Sequence, residues 1–157
     1  KRLGIVGLEV RTDDKIEDFD PTGRVWHADF ANRHIGGGVL GTGCVQEEIR
    51  FVLSPELLVS LAVCPCMQDL ETILIVGSER FSNYSGYAGT FEYAGPMTDA
   101  AEADERGVLR TSVVAYDATY YGNGEGAERQ FGKGPIAREL NKALCAFLPI
   151  GAFGHRP

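Results

Sequence analysis

Five glycines in eight residues, within Gly36-Gly37-Gly38-Val39-Leu40-Gly41-Thr42-Gly43, lead after a short spacer to Gln46 and two adjacent carboxylates, Glu47 and Glu48. Glycine lets a backbone approach a ligand closely and take up positive φ angles. The free N–H groups at a helix start favour bound anions. A side-chain-poor loop ending at a helix start can therefore wrap around a sugar phosphate. Two acids at that junction can move protons on whatever the loop holds. By itself, an acid pair at a helix start is often no more than a complement to the helix dipole.

The elements that must position these groups are legible around them. Val25-Trp26-His27-Ala28-Asp29-Phe30-Ala31 reads as a strand running into the glycine loop. Val45, Ile49, Val52 and Leu53 sit at helical spacing, so a helix follows the loop. Ser54-Pro55-Glu56 reads as a cap and helix start, with the apolar stretch Leu57 to Val63 continuing it. Leu8-Glu9-Val10-Arg11-Thr12 alternates and predicts a further strand, with Ile16-Glu17 opening a short extended piece after a turn. Thr72 to Gly77 is a continuous apolar run, the pattern of a strand buried on both faces. Ser82 to Gly95 predicts a loop with short extended pieces, Ala100 to Gly107 an exposed acidic loop, and Arg110 to Tyr116 a β-branched strand. Tyr121 to Gly134 reads as a glycine-rich connection. Ile136 to Phe147 predicts a helix with Ile136, Leu140, Leu144 and Phe147 on one face. Strands alternating with helices predict a three-layer α/β/α domain on a mixed sheet.

The chain of 157 residues is one domain by length and 44% hydrophobic, enough for a real core. A net charge of −7 argues against broad binding to DNA or to a membrane surface. A bound anion would have to be held by backbone amides and a few local cations. No run approaches the roughly 18 apolar residues a bilayer span needs. The four cysteines, with Cys64-Pro65-Cys66 lacking a matching second pair, are expected to be plain thiols in a reducing, intracellular compartment, nucleus or cytoplasm. His27, His34 and His155 are scattered, and no metal set emerges. The first residue is not Met, so a fragment or processed piece is expected.

Three glycines, a seven-residue spacer and Gln46-Glu47-Glu48 resemble the signature of poly(ADP-ribose) glycohydrolases. The likeness extends through Asp29-Phe30-Ala31-Asn32, Glu47-Glu48-Ile49-Arg50-Phe51, Ser54-Pro55-Glu56-Leu57, Tyr84-Ser85-Gly86-Tyr87-Ala88 and Arg138-Glu139-Leu140-Asn141-Lys142-Ala143. It covers roughly residues 8–148. The resemblance implies a macrodomain that hydrolyses the ribose–ribose O-glycosidic bonds of poly(ADP-ribose). It implies Glu48 as general acid/base, competent mainly with substrate bound. Glu47 and Asn32 would hold the ribose, and Asp29 would orient the loop by hydrogen bonding. Gly36, Gly37, Gly38 and Gln46 complete the signature. Tyr87 would pack over the substrate, with Tyr84 beside it, while Ile16 and Glu17 would receive adenine. The implied partners are poly(ADP-ribose) and ADP-ribosylated proteins, with a monomeric protein and no cofactor, metal, DNA or membrane.

Two departures set expectations of their own. The helical region that precedes the family's macrodomain is almost wholly missing. After Phe147 the family continues through another central strand into a glycine-rich diphosphate loop, and here Gly151-Ala152-Phe153-Gly154 resembles part of that loop without the strand. Residues 1–157 are thus expected to form a partial catalytic domain, incomplete at the C-terminus. A non-catalytic ADP-ribose-binding module and an inactive fragment stand as alternatives.

Overall fold

A computed structural model describes residues 9–18 and 24–148. A three-stranded mixed sheet forms its centre. Strand β1 (Val25–Ala31) runs parallel to β5 (Thr111–Asp117), and β2 (Ile73–Val76) pairs antiparallel with the other side of β5. The sheet order is therefore β1-β5-β2. As the middle strand, β5 is buried at six of its seven positions, which suits its β-branched sequence. Strands β3 (Ser82–Ser85) and β4 (Glu92–Pro96) form a separate antiparallel hairpin.

Helix α1 (Gln46–Leu53) leaves the glycine loop and lies against β1. A 3-10 helix (Pro55–Val59) and the one-turn helix α2 (Ser60–Val63) continue from it. Phe51 and Leu57 from this layer meet Ala31, Ile35, Met67, Val113 and Ala115 in the core. Val113 and Ala115 point to one face of β5, and Tyr116 to the other, because side chains alternate along a strand. Helix α3 (Lys133–Phe147) meets that other face, where Phe147 stands edge-on to Tyr116 at 5.6 Å between ring centroids. Helices on both faces of a mixed sheet make the three-layer architecture that the alternating pattern predicts.

Several local expectations are corrected. Residues 9–12 form no strand, and Val10 is 78% exposed. Ile16 and Glu17 belong to a 3-10 turn (Ile16–Asp18), closed by the Asp18 N–H donating to the Lys15 carbonyl at 3.1 Å. The apolar run at Thr72 to Gly77 gives β2, but no residue of that strand is buried, because among the described residues β2 lies at the sheet edge. Ser54 occupies the position before the 3-10 helix, yet its hydroxyl caps nothing. On α3 the predicted apolar face, Ile136, Leu140, Leu144 and Phe147, stays about half exposed. The buried residues are Lys142 and Ala146.

Candidate functional site

The site is built where β1 ends. The Gln46 side chain ties α1 to β1: its Nε2 donates to the Ala28 carbonyl at 2.9 Å, and its Oε1 accepts the Phe30 N–H at 2.9 Å. One amide thus satisfies the two backbone groups that a neighbouring strand would have used. This sets the rotation of α1 and turns Glu47 inward.

Glu47 is buried at 3% exposure. Its Oε2 accepts the Asn32 N–H at 2.8 Å and its Oε1 the Gly36 N–H at 2.6 Å. Glu48, 7% exposed, accepts the Gly38 N–H at 2.8 Å on Oε1 and the Val45 N–H at 3.0 Å on Oε2. The second of these closes the start of α1, where Val45 has no side-chain oxygen to cap the helix. Each carboxylate spans the loop, one pinning its entrance and the other its exit. Each oxygen still has a lone pair free for a ligand.

The glycines are explained by these contacts. Gly36 and Gly37 have φ of +88° and +49°. A Cβ on Gly37 would lie 2.5 Å from Glu48 Oε1 and 2.6 Å from Glu47 Oε2. At Gly43 it would lie 2.7 Å from Glu48 Oε1. The loop is held against the acid pair itself, and the bare backbone is needed there before any ligand arrives.

Burial pushes the Glu47 carboxyl up to about 7, with the Asn32 and Gly36 amides pulling against it and Glu48 adding to the rise. Beneath it, Asp29 has no exposed surface, and neither carboxyl oxygen has a hydrogen-bond partner among the described residues. Burial and the nearby Glu47 raise its pKa to about 8, although Arg50 opposes this. The expectation that Asp29 orients the loop by hydrogen bonding is therefore not met. Asp29 acts on the site as a buried neighbour of Glu47. Arg50, 4% exposed and lowered by burial against the pull of Glu17 and, more weakly, Asp29, lines a cavity of about 230 Å³ with Glu17, His27, Arg80 and Thr111.

The other predicted residues fall around this centre. The Asn32 side chain accepts the His34 N–H at 3.0 Å, a local turn that opens the loop. Asn32 also lines a cleft of about 590 Å³ together with Arg33, His34, Thr119, Tyr120 and Arg138, among others. Tyr87 projects from a tight turn between β3 and β4, where Ala88 has a φ of +49°. Its ring is half exposed, and its hydroxyl accepts the Gln46 N–H at 3.2 Å, so it stands over the start of α1. Tyr84, in β3, donates its hydroxyl to Glu17. The hairpin thus links Ile16 and Glu17 to the acid pair. Gly151, Ala152, Phe153 and Gly154 lie outside the described residues.

Sequence reasoning missed Arg50, Arg80 and Lys15. Arg50 was detectable in principle, since it falls three residues after Glu47 and therefore on the same face of α1. Arg80 and Lys15 carry no local signal.

A family model described as "Poly (ADP-ribose) glycohydrolase (PARG), Macro domain fold" matches residues 2–152. Poly(ADP-ribose) glycohydrolase 1 of Arabidopsis thaliana is 48% identical over 120 residues, covering 76% of this chain and 21% of that protein. Poly(ADP-ribose) glycohydrolase 1 of Caenorhabditis elegans is 36% identical over 156 residues, covering 91% of this chain and 20% of its own length. Poly(ADP-ribose) glycohydrolase 2 of Caenorhabditis elegans is 37% identical over 151 residues, with 91% and 31% covered. The chain spans about a fifth to a third of the length of these curated relatives. With the loop, the paired acids and the layered sheet agreeing with the family match, the chain belongs to the poly(ADP-ribose) glycohydrolase family and has its macro domain fold.

Proposed function

We propose that this chain is a glycosidase domain acting on the ribose–ribose O-glycosidic bonds of poly(ADP-ribose), with ADP-ribose as product. The observation that carries this reading is the pinning of two adjacent carboxylates by four backbone amides of one glycine loop. Glycosidic bonds break through an oxocarbenium-like transition state, and the leaving alcohol needs a proton. Glu48 protonates that oxygen and then takes a proton from the attacking water. Glu47 accepts hydrogen bonds from ribose hydroxyls on its remaining lone pairs, and Asn32 orients the same sugar. Tyr87 closes over the ribose, while Ile16 and Glu17 receive the adenine. The polymer and ADP-ribosylated proteins are the partners of this reading.

Replacing Glu48 by Gln keeps the side chain's shape and removes the transferable proton. Release of ADP-ribose from an automodified acceptor should fall at least about a hundredfold, the usual scale for loss of general acid–base catalysis. ADP-ribose binding, followed by calorimetry, should persist. Hydrolysis by the Gln variant at near the parental rate refutes the assignment. The burial of Glu48, with both oxygens already accepting amides, favours a second reading: a module that holds ADP-ribose without cleaving it. Tight binding with no release by the unsubstituted chain selects that reading.

A further inference from the structure

We propose that Tyr84 is a positioning residue that fixes Glu17 and thereby sets the base preference of the site. The inference rests on the reading above that Glu17 faces the adenine of ADP-ribose.

The Ile16–Asp18 turn has no fully buried residue, so polar anchors matter to its placement. It is held by β3 and the residues leading into it. Arg80, 5% exposed, donates from Nη1 to the Glu17 carbonyl at 3.3 Å and pairs with Asp18 at 2.7 Å. Its Nε donates to the Ser82 carbonyl at 3.1 Å, which anchors the guanidinium to β3. Arg80 therefore places the backbone of the turn. The Tyr84 hydroxyl does a different job, because it reaches the Glu17 side chain by donating to Oε1. Among the described residues, Glu17 Oε2 has no hydrogen-bond partner.

Tyr84 is itself fixed from several sides. Its ring meets Phe91 at 5.5 Å between centroids, and the Lys15 ammonium sits 3.7 Å from the ring centre. The same Lys15 Nζ donates to the Tyr84 carbonyl at 3.2 Å. Burial and the Glu17 carboxylate raise the phenol's pKa well above its ordinary value, so the hydroxyl stays a donor at physiological pH.

A carboxylate held at one oxygen cannot rotate freely about its terminal bond, so the other oxygen keeps a fixed direction. An oxygen that accepts only suits the exocyclic amine of adenine. The carbonyl of hypoxanthine at the same ring position would set two acceptors against each other. A site that must leave a polar group unpaired rejects the wrong ligand more strongly than a merely looser one does. Removing the Tyr84 hydroxyl frees the carboxylate to turn away, so adenine loses more than hypoxanthine does.

The test is calorimetric titration of the chain, its Tyr84→Phe variant and its Glu17→Ala variant with ADP-ribose and with the hypoxanthine analogue, inosine diphosphate ribose. The parent should prefer the adenine ligand by about tenfold or more, the scale of one charge-assisted hydrogen bond. Tyr84→Phe keeps the ring contacts with Phe91 and Lys15. Its thermal midpoint should stay near that of the parent while the preference shrinks several-fold. A purely structural role would weaken both ligands alike and leave the ratio unchanged, which overturns the proposal. If Glu17→Ala abolishes the preference and Tyr84→Phe does not, only the positioning role fails. If Glu17→Ala leaves the parental preference intact, or the parent binds neither ligand, the adenine assignment fails and the proposal falls with it.

Discussion

At Gly37 a single hydrogen stands where any other residue would place a carbon, and that carbon would strike both acids. The distances of 2.5 and 2.6 Å to Glu48 and Glu47 leave no room, and the φ of +49° adds roughly 1 kcal/mol of strain for an L-residue. Gly37→Ala should therefore displace the carboxylates before it touches any ligand. On the proposed glycosidase reading, turnover should fall at least about tenfold, the size of a small misplacement of catalytic groups. Gly41→Ala is the matched control, since its Cβ would meet only the Gly38 carbonyl, at an ordinary 3.5 Å. Equal activity of the two variants in a polymer-release assay would remove the steric argument. That these positions must be glycine is legible from the spacing of the motif. That the acids are what demand it is not, because the contact joins residues about ten positions apart across a folded loop.

At the scale of the element, α3 shows a helix whose docked face is its charged one. Arg138 and Lys142 lie four residues apart on one face. Arg138 Nη2 and Lys142 Nζ each approach a different oxygen of Asp117, at 2.6 Å, and Lys142 Nζ also donates to the Gln68 carbonyl at 2.5 Å. Burial pushes the Asp117 carboxyl up, but Lys142 and Arg138 outweigh it and hold it below its usual range. Lys142 is 1% exposed, so truncating it strips one cation from a buried pair. Lys142→Met should cost about 3 kcal/mol, the lower end for breaking such a pair, because Arg138 remains. Urea unfolding should show a lower midpoint with an unchanged slope. A midpoint within error of the parent would mean that the α3 contact contributes little. Periodicity alone assigns the buried face to Ile136, Leu140, Leu144 and Phe147. It weighs apolar spacing and cannot see an aspartate on a strand end 25 residues away from Lys142.

At the scale of the whole molecule, two buried carboxyls link stability to pH. Asp29 and Glu47 titrate at about 8 and about 7 in the fold, against ordinary values of 3.8 and 4.5. Between those limits the folded state keeps protons that the unfolded chain has released, so stability falls as pH rises. Below about pH 4 the opposite loss begins, as Asp117, held below its ordinary value of 3.8, takes up a proton and gives up its cations. The thermal midpoint should be highest at about pH 4 and lower at pH 8. Asp29→Asn, which mimics the protonated carboxyl, should flatten the upper limb and raise the midpoint at pH 8. A parental midpoint at pH 8 equal to or above that at pH 4 would contradict the assigned burial effects.

The sequence by itself determined what short-range chemistry can encode. The strand at Val25–Ala31, the helix starting at Gln46, the acid pair at its first turn and the helix reaching Phe147 all follow from spacing along the chain. The signature motif and its flanks were enough to point to the family. Tertiary structure alone decided which groups those elements bring together. The order β1-β5-β2 places a late strand in the middle and leaves β2, which reads as a buried strand, at the edge. Asp29 became a buried neighbour of Glu47, and the Glu17 turn was moored to Tyr84, 67 residues further along the chain. Periodicity records only which face of an element is apolar. Hydrogen bonds, burial and the fields of charged groups act through space, and they form only once the chain has closed on itself.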